Sequence, residues 1–473
     1  MRRYSSIALV KIAIICGLVA GLTALAVHAV VWALFIAGLY NLAISGMEAM
    51  WRLYADRSPD AQASLAWPKS VRQGDEQTSF TLIVCALDEV EVIGVTLDKL
   101  VRQTHQRCQI IVSLRDHDTP TIEAVQAVRR RHPGCIDLVV GNYDESGKAA
   151  QLNGALPHAT GDYVCPIDAE CDVAPDLLRH VEALIRQTGA DIVQGAVQLM
   201  NLGGRAREWF QAHNVLEYFA WYSSRMLFQV DAGFVPLGGN TVFVRSELAR
   251  AAGGWPSTPT EDCAMGVLLC SRYGARVVAA FSPRLATREE VPPTIFHRKQ
   301  GSLFWQRVRW LEGIFGELMR GYWWQMPTLR QKILAGYILA APILQAISCA
   351  LLPLALISAF VLKVPEGLTL FLYVPLIPLA VTMVSMLLAL AQFGRSYRQK
   401  VRVGHFASIM FLTPAYQLIL AAAAVWAVYR HYWGDGTWYR TGRGLQHRPA
   451  EPQVPAQAPA PSESPVPSEG AVL

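Results

Sequence analysis

The sequence predicts an α/β domain with a mainly parallel sheet, inserted between N- and C-terminal transmembrane helices. Three observations carry that prediction. Long apolar runs occupy the chain near both ends. Between them, short β-branched runs alternate with segments of helical spacing, the pattern of parallel βαβ units. The 473 residues are 52% hydrophobic and 17% charged, whereas a soluble domain carries about a quarter charged residues.

The elements follow in order. Residues 7–47 contain one charged side chain, Lys11. A single helix there would be roughly 60 Å long, about twice the hydrocarbon core. The spacing therefore predicts a transmembrane hairpin within residues 1–50, with two spans and a turn between Gly21 and His28. The run is too long for a cleaved signal peptide. Arg2 and Arg3 precede it, Lys11 lies near its start, and Arg52, Arg57 and Lys69 follow, which favours both flanks being cytoplasmic. Residues 51–77 read as a linker.

Residues 78–294 read as a cytoplasmic α/β domain. TLIVCAL (81–87), CQIIVSL (108–114) and IDLVVGN (136–142) are strands of a buried parallel sheet. VIGVTLDKLVRQT (92–104) and IEAVQAVRRRH (122–132) are the helices between them. A further strand, DYVCPID (162–168), ends on carboxylates, and ligands of such sheets gather at the carboxyl ends of the strands. Residues 295–330 read as interfacial amphipathic helices. Residues 331–430 hold about three spans, at 332–362, 367–393 and 405–429. Their internal prolines are tolerated where neighbouring helices pack against them. RSYRQKVR (395–402) is a cytoplasmic signal, but the segment after the last span is basic too, so the side of the tail stays open. Residues 431–473 form a tail that is basic to residue 448 and then Pro-rich, and its residues 449–473 are expected to be disordered.

The net charge of +5 is spread along the chain. It fits juxtamembrane basic residues and a lipid bilayer as partner, not a nucleic-acid surface. Nine cysteines form no CxxC pair, which excludes a zinc knuckle and fits a reducing compartment.

Four segments could carry chemistry. Asp168-Ala169-Glu170-Cys171-Asp172 clusters carboxylate oxygens at a strand end. That suits Mg²⁺ or Mn²⁺, which take oxygen ligands and bind substrate phosphates; a solvated acidic turn is the plainer alternative. Thr260-Glu261-Asp262 could equally open a helix with Thr260 as its cap. In Gln306-Arg307-Val308-Arg309-Trp310, helical spacing puts Gln306, Arg309 and Trp310 on one face. There Arg can bind phosphate and Trp can stack on a sugar, or both can meet lipid headgroups. Ser146-Gly147-Lys148 offers a Gly-Lys pair in a loop, without the Walker pattern.

In their order, SGKAAQLNGALPHATGDYVCPIDAE (146–170), VQG (193–195), GGNTVFVR (238–245), TED (260–262) and QRVRW (306–310) resemble the processive inverting glycosyltransferases of glycosyltransferase family 2. These include cellulose, chitin, hyaluronan and poly-N-acetylglucosamine synthases. The resemblance covers roughly residues 78–320 and implies a GT-A-like fold. It implies a nucleotide-sugar donor (a UDP-sugar), Mg²⁺ or Mn²⁺ held by Asp168 and Glu170, and a glycan or lipid-linked acceptor. It makes Asp262 the catalytic base. It puts Asp88, Glu89, Asp116, Asp118, Lys148 and Asp168 at the donor, and Glu261, Gln306, Arg309 and Trp310 at the acceptor and diphosphate. The chain departs from the pattern at Ser113-Leu114-Arg115-Asp116-His117-Asp118, where such enzymes carry a double Asp; Asp116 and Asp118 are the candidates for that place. Glu170 stands where Asp is usual. The expected activity is elongation of a polysaccharide at the plasma membrane. Transfer of one sugar to a lipid and a catalytically silent scaffold are the rivals.

Overall fold

A computed structural model of the chain describes residues 67–434, apart from 144–146, 204–207, 232, 235, 298–301 and 361–375. The predicted N-terminal hairpin, most of the linker, Ser146 and the Pro-rich tail lie outside the described residues.

The α/β unit opens with β1 (Phe80–Cys85), α1 (Ile93–Leu100), β2 (Cys108–Arg115), α2 (Thr119–Arg131) and β3 (Asp137–Gly141). The first two strands and both helices lie where β-branched runs and helical spacing predict them. Next come α3 (Lys148–Ala155), β4 (Tyr163–Asp168), α4 (Leu177–Thr188), β5 (Ile192–Gln194) and β6 (Val197–Leu199). A long helix α5 (Trp209–Ala220) runs through a π-helical turn (Trp221–Arg225) into α6 (Met226–Asp231). The unit closes with β7 (Val242–Arg245), α7 (Ser246–Ala251), α8 (Glu261–Arg272), β8 (Val277–Ala279) and β9 (Thr287–Glu289).

The strands form a sheet of order β3-β2-β1-β4-β7-β5-β8. It is mainly parallel: β7 alone among its described strands runs antiparallel to its neighbours. Side chains alternate between its two faces as the pleat requires. Leu82 and Val84 enter one buried cluster, with α1 and α4, while Ile83 and Cys85 enter another, with α3 and α8. Each fully buried aliphatic side chain contributes about 1.5–3 kcal/mol by leaving water. The register sets Cys85 opposite both Ser113 and Asp168, so the carboxyl ends of β1, β2 and β4 finish at one level.

A two-stranded parallel sheet pairs β6 with β9. Backbone hydrogen bonds between Asp172 and Arg288 extend it toward β4. This small sheet carries Glu289 to the carboxyl end of β4, from more than a hundred residues further along the chain.

The C-terminal part holds α9 (Leu303–Arg320), α10 (Leu329–Phe360), α11 (Leu376–Ser396) and α12 (Val403–Trp433). The expected amphipathic segment at 295–330 holds, among the described residues, one long helix and a short 3-10 turn (Tyr322–Gln325), and its last two residues open α10. Among the described residues, Leu379–Ser396 and Val403–Trp433 are long and apolar enough to cross a membrane. Phe411, Val425 and Trp433 leave α12 largely exposed, as a lipid-facing helix would be. The other face of α12 joins α5 and α11 in a cluster built on Phe210, Phe219, Phe393, Ile409 and Tyr416. That cluster fixes the α/β unit to the apolar helices.

Candidate active site

The site forms where β1, β2 and β4 end. Lys148 opens α3 after Gly147, whose φ of 120° favours a residue without a side chain. The sequence placed Lys148 in a loop; instead it starts a helix, which aims its side chain across the strand ends. Its Nζ donates to Asp168 Oδ1 at 2.5 Å and to the Gly239 carbonyl at 2.6 Å. Farther along α3, Gln151 donates to the Ala86 and Ser113 carbonyls at 2.8 and 2.9 Å, lacing β1 to β2. Burial lowers the pKa of the ammonium, but Asp168 and Glu261 outweigh it and push the Lys148 pKa up.

Glu261 and Asp262 begin α8, where the amide dipoles favour negative charge. Gly239 makes room for them: a Cβ there would stand 2.9 Å from Asp262 Oδ2. Burial, and then the neighbouring Asp262, push the Glu261 carboxyl up to about 7 against the pull of Lys148. Burial also raises Asp262, opposed by the Cys263 amide, Lys148 and Arg309. Thr260 precedes the helix, yet its side chain makes no capping hydrogen bond. It is crowded by Gly313 of α9, where any side chain would overlap it. Arg309 Nη1 donates to the Pro259 carbonyl at 3.3 Å, so α9 braces the turn that carries the two carboxylates.

The remaining expected residues divide. Gln306 Oε1 is a buried acceptor with no hydrogen-bond partner among the described residues. Trp310 lies 6.0 Å from the Tyr218 ring and beneath the Arg307 guanidinium. Asp88 takes a left-handed φ of 55° and donates its N–H to Asp118 Oδ2 at 2.7 Å. Glu89 donates its N–H to Thr121 Oγ1. Asp118 is buried and caps α2 through the Thr121 N–H. It therefore supports the 88–89 turn from beneath. Asp116 is exposed beside His117.

Sequence reasoning missed Glu289, Cys171 and Asn240 as neighbours of Asp168. The Asp168 and Glu289 carboxylates and Cys171 Sγ lie within 4.8 Å of one another. Asn240 Nδ2 donates to Glu289 Oε1 at 2.6 Å and also reaches Cys171 Sγ. The paired oxygens suit a hard divalent cation. The thiol suits it less, since sulfur is a soft ligand that selects softer metals. Glu170 is half-buried just past the end of β4, outside that group of three. Asp172 turns away to Lys99, at 2.9 Å. Asn240 sits inside the quoted GGNTVFVR segment; for Glu289 no motif or spacing gave a signal.

A family model described as glycosyltransferase-like family 2 matches residues 77–313. The beta-monoglucosyldiacylglycerol synthase of Trichormus variabilis is 29% identical over 182 residues, which cover 37% of this chain and 36% of that one. The poly-beta-1,6-N-acetyl-D-glucosamine synthase of Staphylococcus epidermidis is 27% identical over 299 residues, covering 62% and 67% respectively. The chain thus spans about a third of the first relative's length and two thirds of the second's. Among solved structures, a mannosyltransferase from Pyrobaculum calidifontis in complex with GDP-mannose and Mn²⁺ superposes with a TM-score of 0.56. It is 17% identical and covers 86% of this chain and 99% of its own, a likeness of fold.

Proposed function

Since the chain belongs to the glycosyltransferase-like family 2, and so uses a nucleotide-sugar, we propose that it is an inverting enzyme of the membrane that elongates a polysaccharide. One observation carries this reading. Asp168, Lys148, Gly239 and the Glu261–Asp262 pair come from four separate stretches of chain and meet at the carboxyl end of one parallel sheet. That is where the ligands of such sheets bind.

In the proposed reaction, Asp262 accepts the proton of the acceptor hydroxyl as that oxygen bonds to the anomeric carbon. The bond from that carbon to the nucleotide diphosphate breaks, and the configuration inverts. Lys148 and Arg309 supply positive charge beside the departing diphosphate. Asp168, with Glu170 and with Glu289 brought in by the fold, would hold Mg²⁺ or Mn²⁺. When bound, the cation neutralises charge on the diphosphate. Trp310 offers a ring to the acceptor sugar, and Gln306 Oε1 a buried acceptor that a sugar hydroxyl can satisfy. The apolar helices α10 to α12 would hold the enzyme in the plasma membrane beside the path of the glycan.

A poly-beta-1,6-N-acetyl-D-glucosamine synthase matches more of this chain than the lipid glucosyltransferase does, which favours the polymer. Incubation with UDP-N-acetylglucosamine, UDP-glucose and GDP-mannose, followed by sizing of the product, tests the choice. A ladder of sugars supports elongation. A single sugar on diacylglycerol supports the second reading, one transfer to a lipid.

The base sets the pH response. It must be ionised, and burial raises Asp262, so kcat/KM climbs with pH along a limb above the ordinary Asp range and is lost on the acid side. Glu261, raised further by Asp262, takes up its proton first as pH falls, so Glu261→Gln leaves that limb in place. A pH–rate profile measured for both proteins checks this; a limb that moves with Glu261→Gln overturns the assignment of Asp262 as the base.

Nucleotide-sugars are cytoplasmic, so the site faces that side. Ser146→Cys, in the stretch beside Lys148, stays unlabelled when a membrane-impermeant maleimide is added to intact cells. Rapid labelling from outside reverses the topology.

A further inference from the structure

The QRVRW helix carries a second arginine, Arg307, one turn before Trp310. It is 3% exposed, among residues of α5 and α12. Its Nη2 donates to Asn214 Oδ1 at 2.7 Å and to Glu217 Oε2 at 2.8 Å, both on α5. The same Glu217 oxygen accepts the Tyr416 hydroxyl, at 2.7 Å, from the apolar helix α12. His213, one turn before Glu217, stacks on Tyr416 with ring centroids 5.0 Å apart and contacts Thr413 Oγ1 at 3.3 Å. Three helices distant in sequence therefore share one buried polar knot.

The knot ends on Trp310. The Arg307 guanidinium lies 4.4 Å over the Trp310 ring centroid, and Tyr218 of α5 packs beside the same ring. A buried charge left without its partner is costly, so the pair admits few alternative arrangements. The planar guanidinium stacks on an aromatic face in a way that an ammonium cannot copy. We propose that Arg307 is a positioning residue for the acceptor: anchored to Glu217 and through it to Tyr416 of α12, it holds the Trp310 ring where the incoming sugar stacks. This rests on the reading of Trp310 as the acceptor platform. It adds that the apolar C-terminal helix sets the platform's position.

The test labels the full-length protein in detergent with 5-fluorotryptophan. The ¹⁹F line missing from Trp310→Phe is that of Trp310. In Arg307→Lys and in Tyr416→Phe, which keeps its ring and its packing, that line shifts or broadens while the other tryptophan lines hold. Kinetics use two acceptor probes, a β-1,6-linked N-acetylglucosamine oligomer and dioleoylglycerol in mixed micelles. Arg307→Lys raises KM for the acceptor that the wild type uses by about 10- to 100-fold, the scale of a misplaced substrate. KM for the donor stays within about twofold, since no donor contact is lost. In a Trp310→Ala background the added effect of Arg307→Lys disappears. A Trp310 line that moves no more than the others in both variants overturns the proposal, as does an equal Arg307→Lys effect with and without Trp310. Unchanged acceptor KM in Trp310→Ala refutes instead the reading of Trp310 as platform, while the ¹⁹F lines still decide what Arg307 holds.

Discussion

Asp262→Asn lowers turnover by about 10²- to 10⁴-fold, the usual share of general-base catalysis, with KM for the nucleotide-sugar nearly constant. The substitution keeps the shape of the side chain, and Gly239 still leaves room for it. What disappears is the group that takes the acceptor proton, an interaction that matters only as the transition state forms, so kcat falls and donor binding does not. The competing account makes Asp262 a partner of the α8 amides, since its carboxylate accepts from the Cys263 N–H. Asn serves nearly as well in such a role, and on that account the variant stays active. Nucleotide release by the two proteins, at equal melting temperature and monodispersity, separates them. Near wild-type turnover in the variant takes Asp262 out of the mechanism.

Asp168→Asn reduces Mn²⁺-dependent UDP binding by at least about 10²-fold, beyond the 10- to 100-fold that losing an outer partner of a metal costs. Asp168 is the carboxylate that faces both Lys148 and Glu289, so its loss removes an oxygen ligand and the counter-charge of a buried ammonium together. Glu289→Gln weakens binding to a lesser degree. Asp172→Asn changes it by less than about threefold, because Asp172 is occupied with Lys99 away from the group. Calorimetric titration with UDP, with and without Mn²⁺, measures all three. Retained Mn²⁺-dependent binding in Asp168→Asn refutes the assignment.

The sheet's first half was legible because its signals are local. Phe80–Cys85 and Cys108–Arg115 are β-branched runs buried on both faces, and α1 and α2 show their spacing directly. The start of α2 was read late, at residue 122. Asp118 caps it from four residues earlier and Pro120 sits in its first turn, and neither had been taken as a start signal. Lys148 was expected in a loop because Lys148–Ala155 is short and shows little amphipathic pattern. The strands β5, β6, β8 and β9, three residues each, give periodicity nothing to register.

The candidate site divides along the same line. Asp168, Lys148, Glu261, Asp262 and Arg309 sit in motifs whose order points to one chemistry, and the fold brings them together. Glu289 could not be read, because its place depends on the parallel pairing of Val197–Leu199 with Thr287–Glu289 across ninety residues of chain. Asp118 shows the converse: a carboxylate chosen for a motif's place turns out to cap a helix and hold the turn of Asp88. Arg307 lay inside the QRVRW motif, but its partners Asn214, Glu217 and Tyr416 come from α5 and α12, which no local pattern links to it.

The proposed reaction is a single displacement that moves a sugar from a nucleotide to an acceptor, with Asp262 as the base. The most direct measurement incubates the purified full-length protein with Mn²⁺ and α-linked UDP- and GDP-sugars. It then follows nucleotide release together with the anomeric configuration of the product by NMR. A single displacement gives release from one donor, matched by β-linked sugar in the product and reduced to a small residue in Asp262→Asn. An α-linked product, or release that Asp262→Asn leaves unchanged, would contradict it.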